Sequence, residues 1–173
     1  MTAKAKSVLI GVAVIVAAIG VSTLQHHLQS SVPPTVAQHA LAPDFSLPEL
    51  TGGRVALSAY RGKVVLLDFW DTSCDPCREA IPRFVDLQSK YGNRGLQVIA
   101  VSMDDSPEPV RDFCRRFKIN YPVVMGNANV GDLYGGILGL PIAFLIGRDG
   151  RIYARHIGAT GISVFEKEIE KQL

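Results

Sequence analysis

Two of the three cysteines stand as Cys74-Asp75-Pro76-Cys77. They follow the apolar run Val64-Val65-Leu66-Leu67-Asp68-Phe69-Trp70, whose length and continuity fit a strand covered on both faces. Pro76 suits the first turn of a helix, where its missing N–H costs nothing. The cysteine pair therefore falls where a buried strand gives way to a helix. A thiol at a helix N-terminus faces unsatisfied backbone amides and the positive end of the helix dipole, which favour the thiolate that performs disulfide exchange. Cys74, the first of the two and in such pairs usually the more exposed, is the expected nucleophile. Cys77, one turn into the helix, is expected to resolve the mixed disulfide by attacking Cys74. Asp71 and Asp75 flank Cys74 and oppose the dipole, so the couple is expected to be neutral or reducing rather than strongly oxidising.

Two other uses of the pair compete with redox exchange. Tetrahedral zinc needs two more ligands, and the remaining candidates, Cys114 and His156, show no paired spacing, so no metal site is expected. A purely structural disulfide closing so short a loop would add little stability, because loop-closure entropy grows with loop length. Redox chemistry is the favoured reading. Cys114, in the helical stretch VRDFCRRF, is expected to be buried and inert. Gly135-Gly136 and Gly139 do not form a dinucleotide fingerprint, and no cofactor is expected.

The elements that must position the dithiol can be read from the flanking pattern. Phe45 to Leu50 and Val55 to Leu57 flank Thr51-Gly52-Gly53, the pattern of a short hairpin. After the buried strand, Ile81, Phe84, Val85 and Tyr91 recur at helical spacing, with Gly92 as a stop. Leu96 to Val101 reads as a second buried strand, and Val110, Phe113 and Phe117 mark a helix after Pro107 and Pro109. Ile142 to Ile146, a turn at Asp149-Gly150, and Ile152 to Ile157 read as a closing hairpin. Ser163 to Leu173 reads as a final helix. Strands alternating with helices predict an α/β domain, a mixed central sheet flanked by helices on both faces.

The stretch GKVVLLDFWDTSCDPCREAIPRF resembles the active-site region of the thioredoxin superfamily, and more closely its membrane-anchored TlpA/ResA/CcmG-like thiol–disulfide oxidoreductases with an AhpC/TSA-type core. The resemblance extends over about residues 43–160, through an N-terminal β-hairpin (APDFSLPELTGGRVALSAYRGK) and a C-terminal half (YPVVMGNANVGDLYGGILGLPIAFLIGRDGRI). It implies a thioredoxin-like fold and protein disulfide oxidoreductase activity, with Cys74 and Cys77 as the redox-active disulfide. By the same resemblance Pro141 is a cis-proline facing the cysteines and offering backbone pairing to a substrate strand. Asp68 is a buried acid that relays a proton to the resolving cysteine, with a pKa raised by desolvation. Pro82 kinks the active-site helix. Trp70, Ser73, Pro76 and Leu140 are the expected substrate-side neighbours, with Trp70 also serving as packing. The chain departs from the family pattern at Ser73, where an aromatic residue is usual, at Ala80, where a glutamate is frequent and Glu79 stands about 100° off that face, at Ile142, where threonine is common, and at Gly147, where aspartate is frequent.

The first forty residues carry different information. Ser7 to Leu24 contains no charge, and as a helix it would span about 27 Å, close to the hydrocarbon thickness of a bilayer. Lys4 and Lys6 precede it, which by the positive-inside bias leaves the start cytoplasmic and the rest outside. Residues 1–24 are expected to be an uncleaved signal anchor with an N-terminal transmembrane helix, 25–42 a linker and 43–173 the thioredoxin-like domain. That reading places the protein in the inner (cytoplasmic) membrane as a single-pass protein with its catalytic domain in the periplasm or an equivalent extracytoplasmic space. His26, His27 and His39 read as solvated linker residues. The formal charge of +2 belongs to Lys4 and Lys6, because residues 41–173 hold 16 basic and 16 acidic side chains. A neutral body has no basic stripe to neutralise phosphates, so nucleic acid is excluded as a partner. The expected partners are protein disulfides, a membrane thiol–disulfide electron donor and, through the N-terminal helix, the membrane; cytochrome c maturation is the implied setting. Two alternatives are a peroxidase of the AhpC/TSA type, which would want threonine where Asp71 stands, and a copper-carrying dithiol protein, which would want a histidine nearer than His156.

Overall fold

A computed structural model describes residues 39–173. The expected anchor, 1–24, and the expected linker as far as residue 38 lie outside the described residues. In chain order the elements are β1 (Ser46–Pro48), β2 (Arg54–Ala56), a 3₁₀ turn (Leu57–Tyr60), β3 (Val64–Trp70), α1 (Asp75–Tyr91), β4 (Leu96–Ser102), α2 (Pro107–Phe117), β5 (Val123–Met125), α3 (Ala128–Leu133), β6 (Ile142–Ile146), β7 (Ile152–Ile157) and α4 (Ile162–Gln172). β1 and β2 pair antiparallel apart from the main sheet, whose order is β5-β4-β3-β6-β7.

β3 is the central strand, parallel to β4 and antiparallel to β6. All its residues are buried, which is why its sequence lacks the polar alternation of a half-exposed strand. Its side chains divide by turns between two cores. Val64, Leu66 and Trp70 meet Ile81 and Phe84 of α1, Phe113 of α2, and Phe165 and Ile169 of α4. Val65, Leu67 and Phe69 meet Leu47 and Val55 of the β1–β2 pair, Val130 of α3 and Tyr134. Alternation puts Asp68 on the first of these faces. Its partners across the sheet are Ala100 and Ala143, two small side chains that leave room beside a carboxyl under α1.

Three differences from the sequence reading have local causes. β5 and α3 were not expected, since neither is long enough to show a period; α3 is held at its start by Asn127, whose Oδ1 accepts the Val130 N–H at 3.0 Å. α1 ends at Tyr91 with Gly92 as its C-cap, as expected, but Gly92 does not reverse the chain: its φ is −55°, a 3₁₀ turn follows over Gly92–Arg94, and the reversal comes at Gly95, φ 109°, a left-handed conformation that glycine adopts without penalty. Finally, residues 39–42, the last four of the expected linker 25–42, are hydrogen-bonded to the β6–β7 region. His39 N–H donates to Ile152 O at 2.7 Å, and Ala42 N–H to Gly150 O at 2.9 Å.

Candidate active site

Between the end of β3 and the start of α1 the chain makes a turn whose position is set by Asp104, just beyond β4. Asp104 accepts the Thr72 N–H at 3.1 Å, the Thr72 hydroxyl at 2.5 Å and the Ser102 hydroxyl at 2.8 Å. Met103 N–H donates to Trp70 O at 2.8 Å. Within the turn, Asp71 Oδ1 accepts both the N–H and the hydroxyl of Ser73, each at 2.6 Å, an Asx-type closure that engages the carboxylate locally.

Cys74 follows as the N-cap of α1. Its Sγ accepts the Cys77 N–H at 3.3 Å, one of the orphan donors of a helix start, and Pro76 occupies the first turn. Cys74 and Cys77 are joined, with S–S 2.05 Å and Cα–Cα 5.3 Å. Cys77 is fully buried in the α1 core, whereas Cys74 is only half-buried. The sulfur that an incoming partner can reach is therefore that of Cys74.

The first turns of α1 border a cleft of about 350 Å³ whose walls include Asp68, Pro76, Glu79, Arg83, Pro141 and Phe165. Asp68 is 1% exposed and neither of its carboxylate oxygens meets a hydrogen-bond partner. Burial without compensating donors disfavours the charged form, and it pushes the carboxyl up to about 7. Such a group both holds and releases a proton near neutrality, which suits it to general acid–base work.

The Leu140–Pro141 peptide is cis, and Pro141 borders the same cleft as Pro76. Pro141 itself has little backbone to offer a strand: it lacks an N–H, and its carbonyl accepts the Gly158 N–H at 2.8 Å. The expectation that Pro141 supplies backbone pairing therefore passes to Leu140, which is half-buried and whose N–H and C=O take no part in the hydrogen bonds among the described residues. A second correction concerns Trp70. It is 0% exposed and packs on Phe113 at 5.0 Å between ring centroids, so it is a core residue and cannot touch a substrate. Ser73 and Pro76 are exposed beside the cysteines.

Several residues of the site were missed from sequence. Glu79 and Arg83 line the cleft with Pro76 and Ala80, and the spacing 76, 79, 80, 83 is that of one helix face. That period was the available signal. Thr72 and Asp104 act through backbone and hydroxyl contacts that leave no pattern in the sequence. Away from the site, the Cys114 thiol is pushed up to about 11 by burial. His156 Nε2 lies 2.8 Å from Glu168 Oε2, and no cluster of three metal-ligating side chains occurs among the described residues.

A mixed sheet carrying a dithiol at a helix N-terminus, with a cis-proline at the rim of the same cleft, is the thioredoxin-like arrangement of thiol–disulfide oxidoreductases. A family model for the AhpC/TSA family matches residues 39–155, and the chain belongs to that family. It is 30% identical to thiol-disulfide oxidoreductase ResA of Bacillus thuringiensis subsp. konkukian over 130 residues, 75% of each chain. With ResA of Geobacillus thermodenitrificans the identity is 36% over 118 residues, 68% of this chain and 67% of that one. Among solved structures, a protein of Chlorobium tepidum described as a thiol:disulfide interchange protein DsbE superposes with TM-score 0.75 at 34% identity, covering 80% of this chain and 99% of that one. The enzyme is a thiol–disulfide oxidoreductase with a CxxC redox pair.

Proposed function

We propose that the enzyme reduces or exchanges disulfides in other proteins in an extracytoplasmic space, held at the inner membrane by residues 1–24 and re-reduced by a membrane thiol–disulfide electron donor. In this reading cytochrome c maturation is the pathway served, with the paired cysteines of an apoprotein as substrate. The observation that carries the disulfide-exchange chemistry is the asymmetry of the dithiol: a half-buried Cys74 capping α1, bonded to a fully buried Cys77, with the buried Asp68 carboxyl in the cleft that Pro76 also lines.

In the reduced enzyme the Cys74 thiolate, favoured by the α1 amides, attacks one sulfur of the substrate disulfide. A Cys74–substrate disulfide forms, and the other substrate sulfur departs as a thiolate that takes a proton from water. Cys77 then gives its proton to the Asp68 carboxylate and attacks Cys74 Sγ. The second substrate thiolate leaves, and two electrons have passed from the dithiol to the substrate. Leu140 and Pro141 align the substrate chain while Ser73 and Pro76 border it.

Replacing Cys77 with Ser removes the resolving step and leaves the substrate joined to Cys74. The full-length Cys77→Ser chain, expressed in a cell with its own partners, is expected to accumulate mixed disulfides with other proteins that vanish on reduction. Recovery of no protein on Cys74 would overturn the reading.

A further inference from the structure

We propose that Leu138 is a specificity-determining residue, an apolar grip that selects extended polypeptide segments carrying a large apolar side chain close to their cysteine. The proposal rests on the protein-disulfide reading above and deepens it.

Leu133 to Gly147 contains no charged residue, and this stretch delivers the chain from α3 to Pro141 and β6. Within it, Ile137 and Leu140 pack against the cores. Leu138 lies between these two anchors and is 91% exposed, more than any other large hydrophobic among the described residues. Gly135 and Gly136, φ 88° and 77°, reverse the chain just before, so the loop holds its inward residues in place while Leu138 points to solvent. On the other side of Pro141, across the sheet, Ile157 is 65% exposed opposite Ile142.

Single exposed apolar side chains are ordinary on a protein surface. These two differ in flanking Pro141, one along the chain and one across the sheet, and Pro141 itself lines the cleft that Pro76 of the redox motif borders. The reaction itself says what covers them. Exchange requires a covalent bond from Cys74 Sγ to the partner, so the partner's neighbouring residues must lie against the surface around the dithiol, which Pro76 and Pro141 help to form. A partner strand paired with the free N–H and C=O of Leu140 would run past Gly139 and Leu138, where a pleated chain places every second side chain on the same face. A leucine-sized contact shielded from water supports a discrimination of about tenfold or more.

The test uses the reduced full-length chain and two synthetic peptides with one internal disulfide, alike except that Leu or Ser stands two residues from the attacked cysteine, with glutathione disulfide as a small control. The wild-type chain is expected to reduce the Leu peptide about tenfold faster than the Ser peptide. Leu138→Ser is expected to abolish that preference while leaving the rate on glutathione disulfide within about twofold, and Leu138→Met to restore it. A preference that survives Leu138→Ser overturns the proposal, as does an equal loss on glutathione disulfide, which would mark damage to the redox site instead. A wild-type chain that reduces glutathione disulfide but neither peptide overturns the protein-disulfide reading, and this proposal with it.

Discussion

Cys74 caps the N-terminus of α1, while Cys114 lies in the later turns of α2, three residues from its C-terminal end. The first is met by backbone amides that favour a thiolate and is open to a partner; the second is half-buried, and burial pushes its thiol up to about 11. Both occupy helices packed on the same face of the same sheet. Their difference shows that thiol chemistry in this chain is assigned by position along a helix and by what covers the sulfur, and not by residue type.

The sharpest way to break this comparison is to remove each thiol. Cys74→Ser is expected to reduce protein-disulfide reduction to background, whereas Cys114→Ser should leave the rate within about twofold, because only the former supplies the nucleophile. Measurable exchange by Cys74→Ser would refute the assignment. Alkylation of the reduced chain tests the same contrast without mutation. At pH 7 the thiolate fraction of a thiol near 11 is roughly 300-fold below that of an ordinary thiol, so iodoacetamide should modify Cys74 and spare Cys114, and peptide mass spectrometry reads the ratio.

In the proposed mechanism Asp68 serves Cys77 and not Cys114, which sharpens the contrast further. Asp68→Asn is expected to slow resolution of the mixed disulfide by about 100-fold and to erase an inflection near pH 7 in its rate. The same substitution has a stability signature of definite sign. A carboxyl raised from 3.8 to about 7 on folding binds more protons in the native state between those values, so the native protein loses stability as pH rises through that window, by up to roughly 4 kcal/mol. Asp68→Asn should flatten that decline in chemical-denaturation curves, leaving the variant the more stable at pH 8. A wild-type curve flat from pH 4 to 8 would contradict the burial argument. The smallest effect is expected at Asp75, exposed in the first turn of α1: Asp75→Asn should quicken Cys74 alkylation by no more than about threefold.

Much of the fold was legible because its strands are either fully buried or tightly paired. β3, β4 and β6 are largely apolar runs of strand length, β7 is marked by the Asp149-Gly150 turn that returns it beside β6, and α1, α2 and α4 each show a repeating apolar face. β5 and α3, three and six residues long, are held by tertiary pairing and a local cap, which leave no period to read. The site divided along similar lines. The cysteine pair and Pro76 were visible as types at definite spacing, and the cis-proline through the family resemblance. Trp70 misled because an aromatic residue next to a reactive pair serves equally as platform or as packing, and only Phe113, from a helix some forty residues away in the chain, decides between them.

The sequence alone pointed to the chemistry: two thiols one helical turn apart, after a buried strand and before a helix, with no paired metal ligands elsewhere, favour a redox pair. It also determined that the described domain has no net charge to hold a polyanion. Tertiary structure decided which sulfur a substrate can reach, that Asp68 lies between two alanines without a donor, that the Pro141 carbonyl is taken by Gly158 while the Leu140 backbone stays unpaired among the described residues, and that Glu79 and Arg83 share a cleft with Asp68 and Pro141. Burial and partnership are properties of whatever distant segments cover a residue, and those segments are brought together only when the sheet forms.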